Sequence, residues 1–292
     1  MNHQHEHDFD GALRTGAWKW GCCLVLVLGS CARHAGRATN APAGSVDIPV
    51  AIAVDAVGNA YVSGRDGITR VDVDGRLTFL ASGPISAAAL VGDDEFLYYA
   101  AEGRIDRLKL SDASPLPISG GAPPVEHVAG LDVAGALLYV ADAGANKIRM
   151  FDTTTGAAAG EFDVHAPQAV AVDPLGQIWV AHDHSVIQAF RADGYSGVTY
   201  GGLGDVSALT FGPGARLYAA DAASGRVLVL DTGASPAQFV PVLNLGAEAG
   251  RLCAVVADNH GNLITLQRRL DGKGMRLAKY GADKKLIWEM NR

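Results

Sequence analysis

From about residue 46 the chain repeats itself roughly every forty residues, and this period restricts the fold more than any other feature. Six segments align: Asn59-Ala60-Tyr61-Val62-Ser63, Leu97-Tyr98-Tyr99-Ala100-Ala101, Leu137-Leu138-Tyr139-Val140-Ala141, Gln177-Ile178-Trp179-Val180-Ala181, Arg216-Leu217-Tyr218-Ala219-Ala220 and Asn262-Leu263-Ile264-Thr265-Leu266. Their central residues, Tyr61, Tyr98, Tyr139, Trp179, Tyr218 and Ile264, are 37, 41, 40, 39 and 46 residues apart. Each unit carries four short β-type runs separated by Gly, Asp and Asn, clearest in the first as 51–55, 59–63, 68–72 and 77–80. A four-stranded sheet of this size can cover its faces only by stacking on its neighbours. Six such units predict an all-β fold, a six-bladed β-propeller with four-stranded blades. Its innermost strands should be apolar throughout, as Ala169-Val170-Ala171-Val172 is. First and last units each supply four runs, so the ring should close without strand exchange, through apolar packing between units one and six that includes Leu286, Ile287 and Trp288.

The segment ahead of the repeat has a different character. Arg14 and Lys19 precede the apolar stretch Trp20 to Ser30, the layout of a secretory signal. As a helix at about 1.5 Å per residue it would cover roughly half of a ~30 Å hydrocarbon core, too little for a permanent span. Ala32 to Ser45, rich in Ala, Gly, Asn, Pro and Arg, reads as a flexible tether. The expected organisation is a signal over 1–30, a linker over 31–45 and the propeller over 46–292. With 24 Lys and Arg against 31 Asp and Glu the formal charge is −7, which opposes a nucleic-acid partner. Of the four cysteines, Cys22 and Cys23 would leave with the signal and Cys31 would be modified. Only Cys253 then remains, and no disulfide framework is expected.

Two resemblances sharpen this reading. Leu28-Gly29-Ser30-Cys31 resembles the lipobox of bacterial lipoproteins, which implies cleavage before Cys31, lipidation of its thiol and acylation of the new amino group. Several acyl chains hold a protein on a membrane where one would be marginal. With Ala32 rather than Asp after the cysteine, the same resemblance implies the outer membrane, facing the periplasm, in a two-membrane host. Further on, Pro49-Val50-Ala51-Ile52-Ala53-Val54-Asp55 with Gly58-Asn59-Ala60-Tyr61-Val62, and Tyr139-Val140-Ala141-Asp142 with Asn146-Lys147-Ile148-Arg149, resemble NHL repeats over roughly 48–290. Six-bladed gluconolactonase-type hydrolases and amidating lyases are similar in architecture, so the repeat identifies a fold better than a function.

The amidating-lyase resemblance implies metal-binding His at the start of several innermost strands. Counting back five from each strand-end position gives Val50, Ile85, His127, Gln168, Ser207 and Cys253, of which one is His. Zinc needs three or four convergent ligands, so no metal site and no cofactor is expected. Neither a Gly-x-Ser-x-Gly elbow nor a Walker loop is present, and no catalytic residue is assigned. Asp55, Asp132, Asp173 and Asp258 are expected to end first strands as turn residues, and Lys147 and Arg149 to serve structural roles. The candidate ligand-binding group is His127, Gln168, His182 and His184, where strand-start and connecting loops converge on one rim. The expected function is a monomeric, non-enzymatic, lipid-anchored binding or scaffold propeller of the bacterial envelope, taking a protein, peptide or glycan at the channel face. The alternative is a degenerate metal-dependent hydrolase or lyase.

Overall fold

The computed structural model describes residues 49–64, 67–82, 90–92, 95–101, 103–118, 124–271 and 274–291, all within the unit that runs from Ala41 to Arg292. Cys31, the signal segment, the linker and Ile85 lie outside the described residues. Blade 1 is β1 (Pro49–Val54), β2 (Ala60–Gly64), β3 (Gly67–Val71) and β4 (Leu77–Ser82), and blade 2 is β5 (Leu90–Gly92), β6 (Phe96–Ala101), β7 (Arg104–Lys109) and β8 (Pro115–Pro117). Blade 3 is β9 (Val128–Ala134), β10 (Leu137–Asp142), β11 (Lys147–Asp152) and β12 (Ala158–Asp163). Blade 4 is β13 (Pro167–Val172), β14 (Ile178–His182), β15 (Val186–Phe190) and β16 (Ser196–Tyr200). Blade 5 is β17 (Val206–Gly212), β18 (Arg216–Asp221), β19 (Arg226–Asp231) and β20 (Val240–Asn244), and blade 6 is β21 (Arg251–Ala257), β22 (Leu263–Arg268), β23 (Met275–Tyr280) and β24 (Leu286–Asn291).

Every blade is an antiparallel sheet of four consecutive strands, and the six are arranged as a β-propeller. The first strands are neighbours in the cyclic order β1, β5, β9, β13, β17, β21 and back to β1. Period-two alternation is what lets one strand serve two interfaces. In β10, Leu138 and Val140 pack with Tyr98 and Ala100 of blade 2, while Tyr139 and Ala141 pack with Val170, Val172, Ile178 and Val180 of blade 4. Both faces of such a strand are therefore buried, and most of its residues are apolar whichever way they point. Outer strands need no such restriction, and β16 is mostly exposed.

The repeat aspartates build the turns that join first to second strands. In blades 1, 4 and 6 the turn is Asp-x-x-Gly-Asn/Gln: Asp55 to Asn59, Asp173 to Gln177 and Asp258 to Asn262. Each Asp carboxylate accepts backbone N–H groups two and four residues on, and Gly58, Gly176 and Gly261 supply the required positive φ of 91°, 83° and 76°. The second oxygen ties the turn to the blade, accepting from Tyr61 Oη at 2.9 Å in blade 1 and Trp179 Nε1 at 3.3 Å in blade 4.

Blade 3 departs from this plan, which corrects the expected role of Asp132. Its β9–β10 turn is the short Gly135-Ala136, so Asp132 lies inside β9 opposite Tyr139, two residues before the strand ends. Counting from Asp132 as a strand end consequently misplaces its blade by two residues.

Closure between blades 6 and 1 is apolar, as expected. Ile52, Ala60, Val62 and Val71 pack with Ala254, Ile264, Leu266, Met275 and Leu277, with Trp288 and Met290 partly buried against them. Leu286 and Ile287 were expected in this packing, but both are exposed, because a bulge at Ile287 breaks the alternation of β24: Trp288 pairs with Lys279 and Leu286 with Tyr280, so only Trp288 and Met290 face the seam. A polar contact adds to the seam: buried Lys279 of β23 lies 3.2 Å from Asp258 Oδ2 and donates to Gly58 O of blade 1 at 3.3 Å.

Candidate functional site

In blades 1, 3, 4, 5 and 6 the inner strand begins with a bulge that turns one residue out of register. The bulge falls at Val50 in β1, Gln168 in β13, Ser207 in β17 and Cys253 in β21, as counted from the sequence. In blade 3 it falls at Ala129, between the pairs Val128–Asp142 and Gly130–Ala141. His127 is therefore not the counterpart of Gln168. It sits in the loop before β9, exposed, where its backbone N–H donates to Asp142 Oδ1 at 3.1 Å and its carbonyl accepts from Ala143.

In blades 3 and 5 the last residue of the second strand organises the loops above it. Asp142 is fully buried and accepts from the N–H groups of Glu126, His127 and Ala145, with Arg149 Nε 3.5 Å away. Asp221, buried in the same way, accepts from Asp205, Ala223 and Ser224. Blade 4 carries His182 at this position, opposite Pro167 as Asp142 is opposite Val128 and Asp221 opposite Val206. Without that acceptor its β14–β15 loop folds differently. Asp183 and His184 both adopt left-handed backbone, with φ of 48° and 66°, a conformation that costs non-glycine residues on the order of 1 kcal/mol each.

That loop gathers a polar network. Asp183 Oδ1 lies 2.6 Å from His165 Nδ1 and Oδ2 lies 3.0 Å from His182 Nδ1, while His182 Nε2 is 3.3 Å from Gln188 Oε1. Hydrogen bonds from His165 and then from His182 hold the Asp183 carboxyl below the usual carboxylate range. On the channel side, His184 Nδ1 is 2.8 Å from the Gln168 amide and 3.3 Å from Asp205 Oδ1, and Arg251 Nη2 donates to Asp205 Oδ2 at 2.7 Å. Nδ1 carries at most one proton, so it either accepts from the Gln168 amide or donates to Asp205; the shorter contact is the one with Gln168.

Three of the four sequence candidates, Gln168, His182 and His184, thus meet at the blade 4 rim, and His127 does not join them through any side-chain hydrogen bond among the described residues. His165, Asp205 and Arg251 were missed. The available signal was Trp-Val-Ala-His at 179–182, where the two neighbouring blades read Tyr-Val-Ala-Asp (139–142) and Tyr-Ala-Ala-Asp (218–221). Lys147 and Arg149 are engaged structurally, by Glu161 and Asp163 and by Asp142 and Glu161 respectively. Among the described residues, no three His, Cys, Asp or Glu side chains are grouped to hold a metal ion. The inner strands enclose a cavity of about 230 Å³ walled largely by Ala, Val and Leu.

No family model matches the chain, and no curated protein matches it. Solved structures do. Virginiamycin B lyase from Staphylococcus aureus superposes with a TM-score of 0.58 at 13% identity over 83% of both chains. A streptogramin B lyase gives 0.60 at 13% over 82% of both. Hydrazine synthase of Kuenenia stuttgartiensis gives 0.62 at 15% over 86% of this chain and 81% of that one. At such identities the likeness establishes a shared propeller fold and carries no activity across.

Proposed function

We propose that the chain is a lipid-anchored binding or scaffold propeller of the bacterial envelope that holds a protein, peptide or glycan at the blade 4 rim. The observation that carries this reading is the contrast between the loop after His182 and the corresponding loops of the two flanking blades. Where blades 3 and 5 bury a loop-organising carboxylate, blade 4 instead presents imidazoles and carboxylates to solvent, fixed by left-handed backbone at Asp183 and His184. Strain retained at an exposed loop, together with polar groups already held in place, suits recognition, because less ordering remains to be done on binding. Lipidation at Cys31 would supply the anchor and the envelope location. The lyase activities named for two structural neighbours remain theirs.

The test compares envelope extracts passed over the immobilised parent and over a His182→Ala/His184→Ala variant, with zinc and calcium titrated into both by calorimetry. A species retained by the parent, displaceable by excess soluble parent and lost from the variant supports the reading. Retention by both moves the functional surface elsewhere on the ring. Stoichiometric zinc lost in the variant replaces the scaffold reading with a metal-dependent one, and neutral imidazole ligands would then lose affinity below about pH 6.5.

A further inference from the structure

The short turn of blade 3 leaves one carboxylate without a counterpart. Asp132 pairs with Tyr139, and the matching inner-strand positions are Ala53, Val91, Ala171, Thr210 and Val256. Five blades place an uncharged residue where blade 3 places an acid. That acid lines the central cavity and is the sole carboxylate among its described lining residues.

Its surroundings leave its charge unbalanced. Asp132 Oδ1 accepts from Val133 N–H at 2.8 Å, and Oδ2 accepts from Val172 N–H of the neighbouring blade at 2.6 Å. Asp142 and Asp258 each face a cation, Arg149 and Lys279, whereas Asp132 has no ion pair among the described residues. Removing a carboxylate from water without a counter-charge costs several kcal/mol, and two N–H donors offset only part of that. Burial accordingly pushes the Asp132 carboxyl up to about 7. A ligand that brings a positive charge would recover the missing interaction. Divalent ions are poorly served, because they require several oxygen ligands of which this cavity offers one carboxylate. The Ala, Val and Leu side chains of the first strands are packed between blades, so the cavity presents little side-chain bulk and suits a compact cation.

We propose that the central cavity binds a small organic monocation, a short primary alkylammonium, with its N–H groups on Asp132. This site is separate from the blade 4 rim and does not depend on the function proposed there.

The test is an NMR titration of the ¹⁵N-labelled protein with n-butylammonium chloride at pH 8, against potassium chloride, butan-1-ol and sodium butanoate at matched ionic strength. Saturable shifts of the Val133 and Val172 amides are expected with the ammonium alone, with at least tenfold weaker binding in Asp132→Asn. Tyr139 and Cys253 are the other titratable groups facing this region. Burial and then the Asp132 charge raise the Tyr139 hydroxyl, so it stays neutral here, and Cys253→Ser removes the thiol. With Asp132 titrating near 7, affinity should fall about thirty-fold from pH 8 to pH 5.5, in the parent and in Cys253→Ser alike. If Asp132→Asn does not fold, the ¹³C carboxyl titration of Asp132 in the parent decides, since saturating ammonium must lower its midpoint. Equal shifts with potassium or butanol, unchanged binding in Asp132→Asn, or an unmoved midpoint would overturn the proposal. Rim variants should leave this titration unchanged, so its failure and that of the rim reading are distinguishable.

Discussion

Replacing Lys279 by Met should weaken the ring at the junction between its last and first blades, which among the described residues is held only by non-covalent contacts. The side chain is 6% exposed, and its ammonium sits between Asp258 Oδ2 at 3.2 Å and the Gly58 carbonyl at 3.3 Å. Methionine keeps the volume and removes the charge. Asp258, itself 2% exposed, is then a buried carboxylate without a cation, and Gly58 O loses its donor. Breaking a buried pair from one side costs about 3–5 kcal/mol. Asp258 retains the N–H groups of His260 and Asn262 and the Asn262 amide, which places the loss near the low end, about 3 kcal/mol. For a domain of this size that corresponds to a fall in Tm of roughly 6–12 °C.

Thermal unfolding followed by circular dichroism measures it, and Asp258→Asn/Lys279→Met supplies the control. Because the double variant leaves no stranded charge, it should recover about 1–2 kcal/mol relative to the sum of the single changes. The pH dependence has a definite sign. Burial pushes the Asp258 carboxyl up, but hydrogen bonds from Asn262 and Lys279 outweigh it and hold the carboxyl below its usual value. A folded-state value below the unfolded one means stability that is present above about pH 4 and lost as pH falls through the lower, folded value. A Lys279→Met protein melting within 2 °C of the parent at pH 7 would refute the seam argument.

Other outcomes follow from the same geometry. Trp288→Ala should cost about 2 kcal/mol in urea unfolding, less than a fully buried Trp because this one is only partly covered, whereas Ile287→Ala, which is exposed, should cost under about 0.5 kcal/mol. Cys31→Ser should abolish acyl labelling and signal cleavage, read by metabolic labelling with a fatty-acid probe. Because its pairing with His165 and His182 depresses the Asp183 carboxyl, that pairing should persist below the usual carboxylate range on acidification and then fail, seen as late shifts of both imidazole rings in NMR.

The fold was readable because a propeller writes its period directly into the chain: one large residue at the centre of each second strand, flanked by small apolar residues that must face two neighbours. Turns were readable where Asp-x-x-Gly-Asn/Gln recurs, and misleading at Asp132, where an aspartate at nearly the repeat spacing lies inside a strand because its turn is shorter. That slip placed His127 at the strand-start position that Ala129 occupies. Gln168, His182 and His184 were reachable because bulge positions and second-strand ends follow the register. His165, Asp205 and Arg251 come from three separate loops or strand starts, and their convergence depends on the left-handed backbone of 183–184, which no local pattern encodes. In β24, four neighbouring apolar residues gave no indication of which alternate pair, Trp288 and Met290, would turn toward the seam.

Recognition at the blade 4 rim is tested most directly by a photoreactive amino acid placed at His184 or, on the opposite rim, at Leu175, in the protein expressed in its own cells. Both are well exposed, 54% and 93%, so accessibility does not favour position 184 over the control. A defined adduct at position 184, absent at 175 and competed by excess parent protein, is the predicted result. Adducts of equal yield at both positions, or at 175 alone, would contradict it.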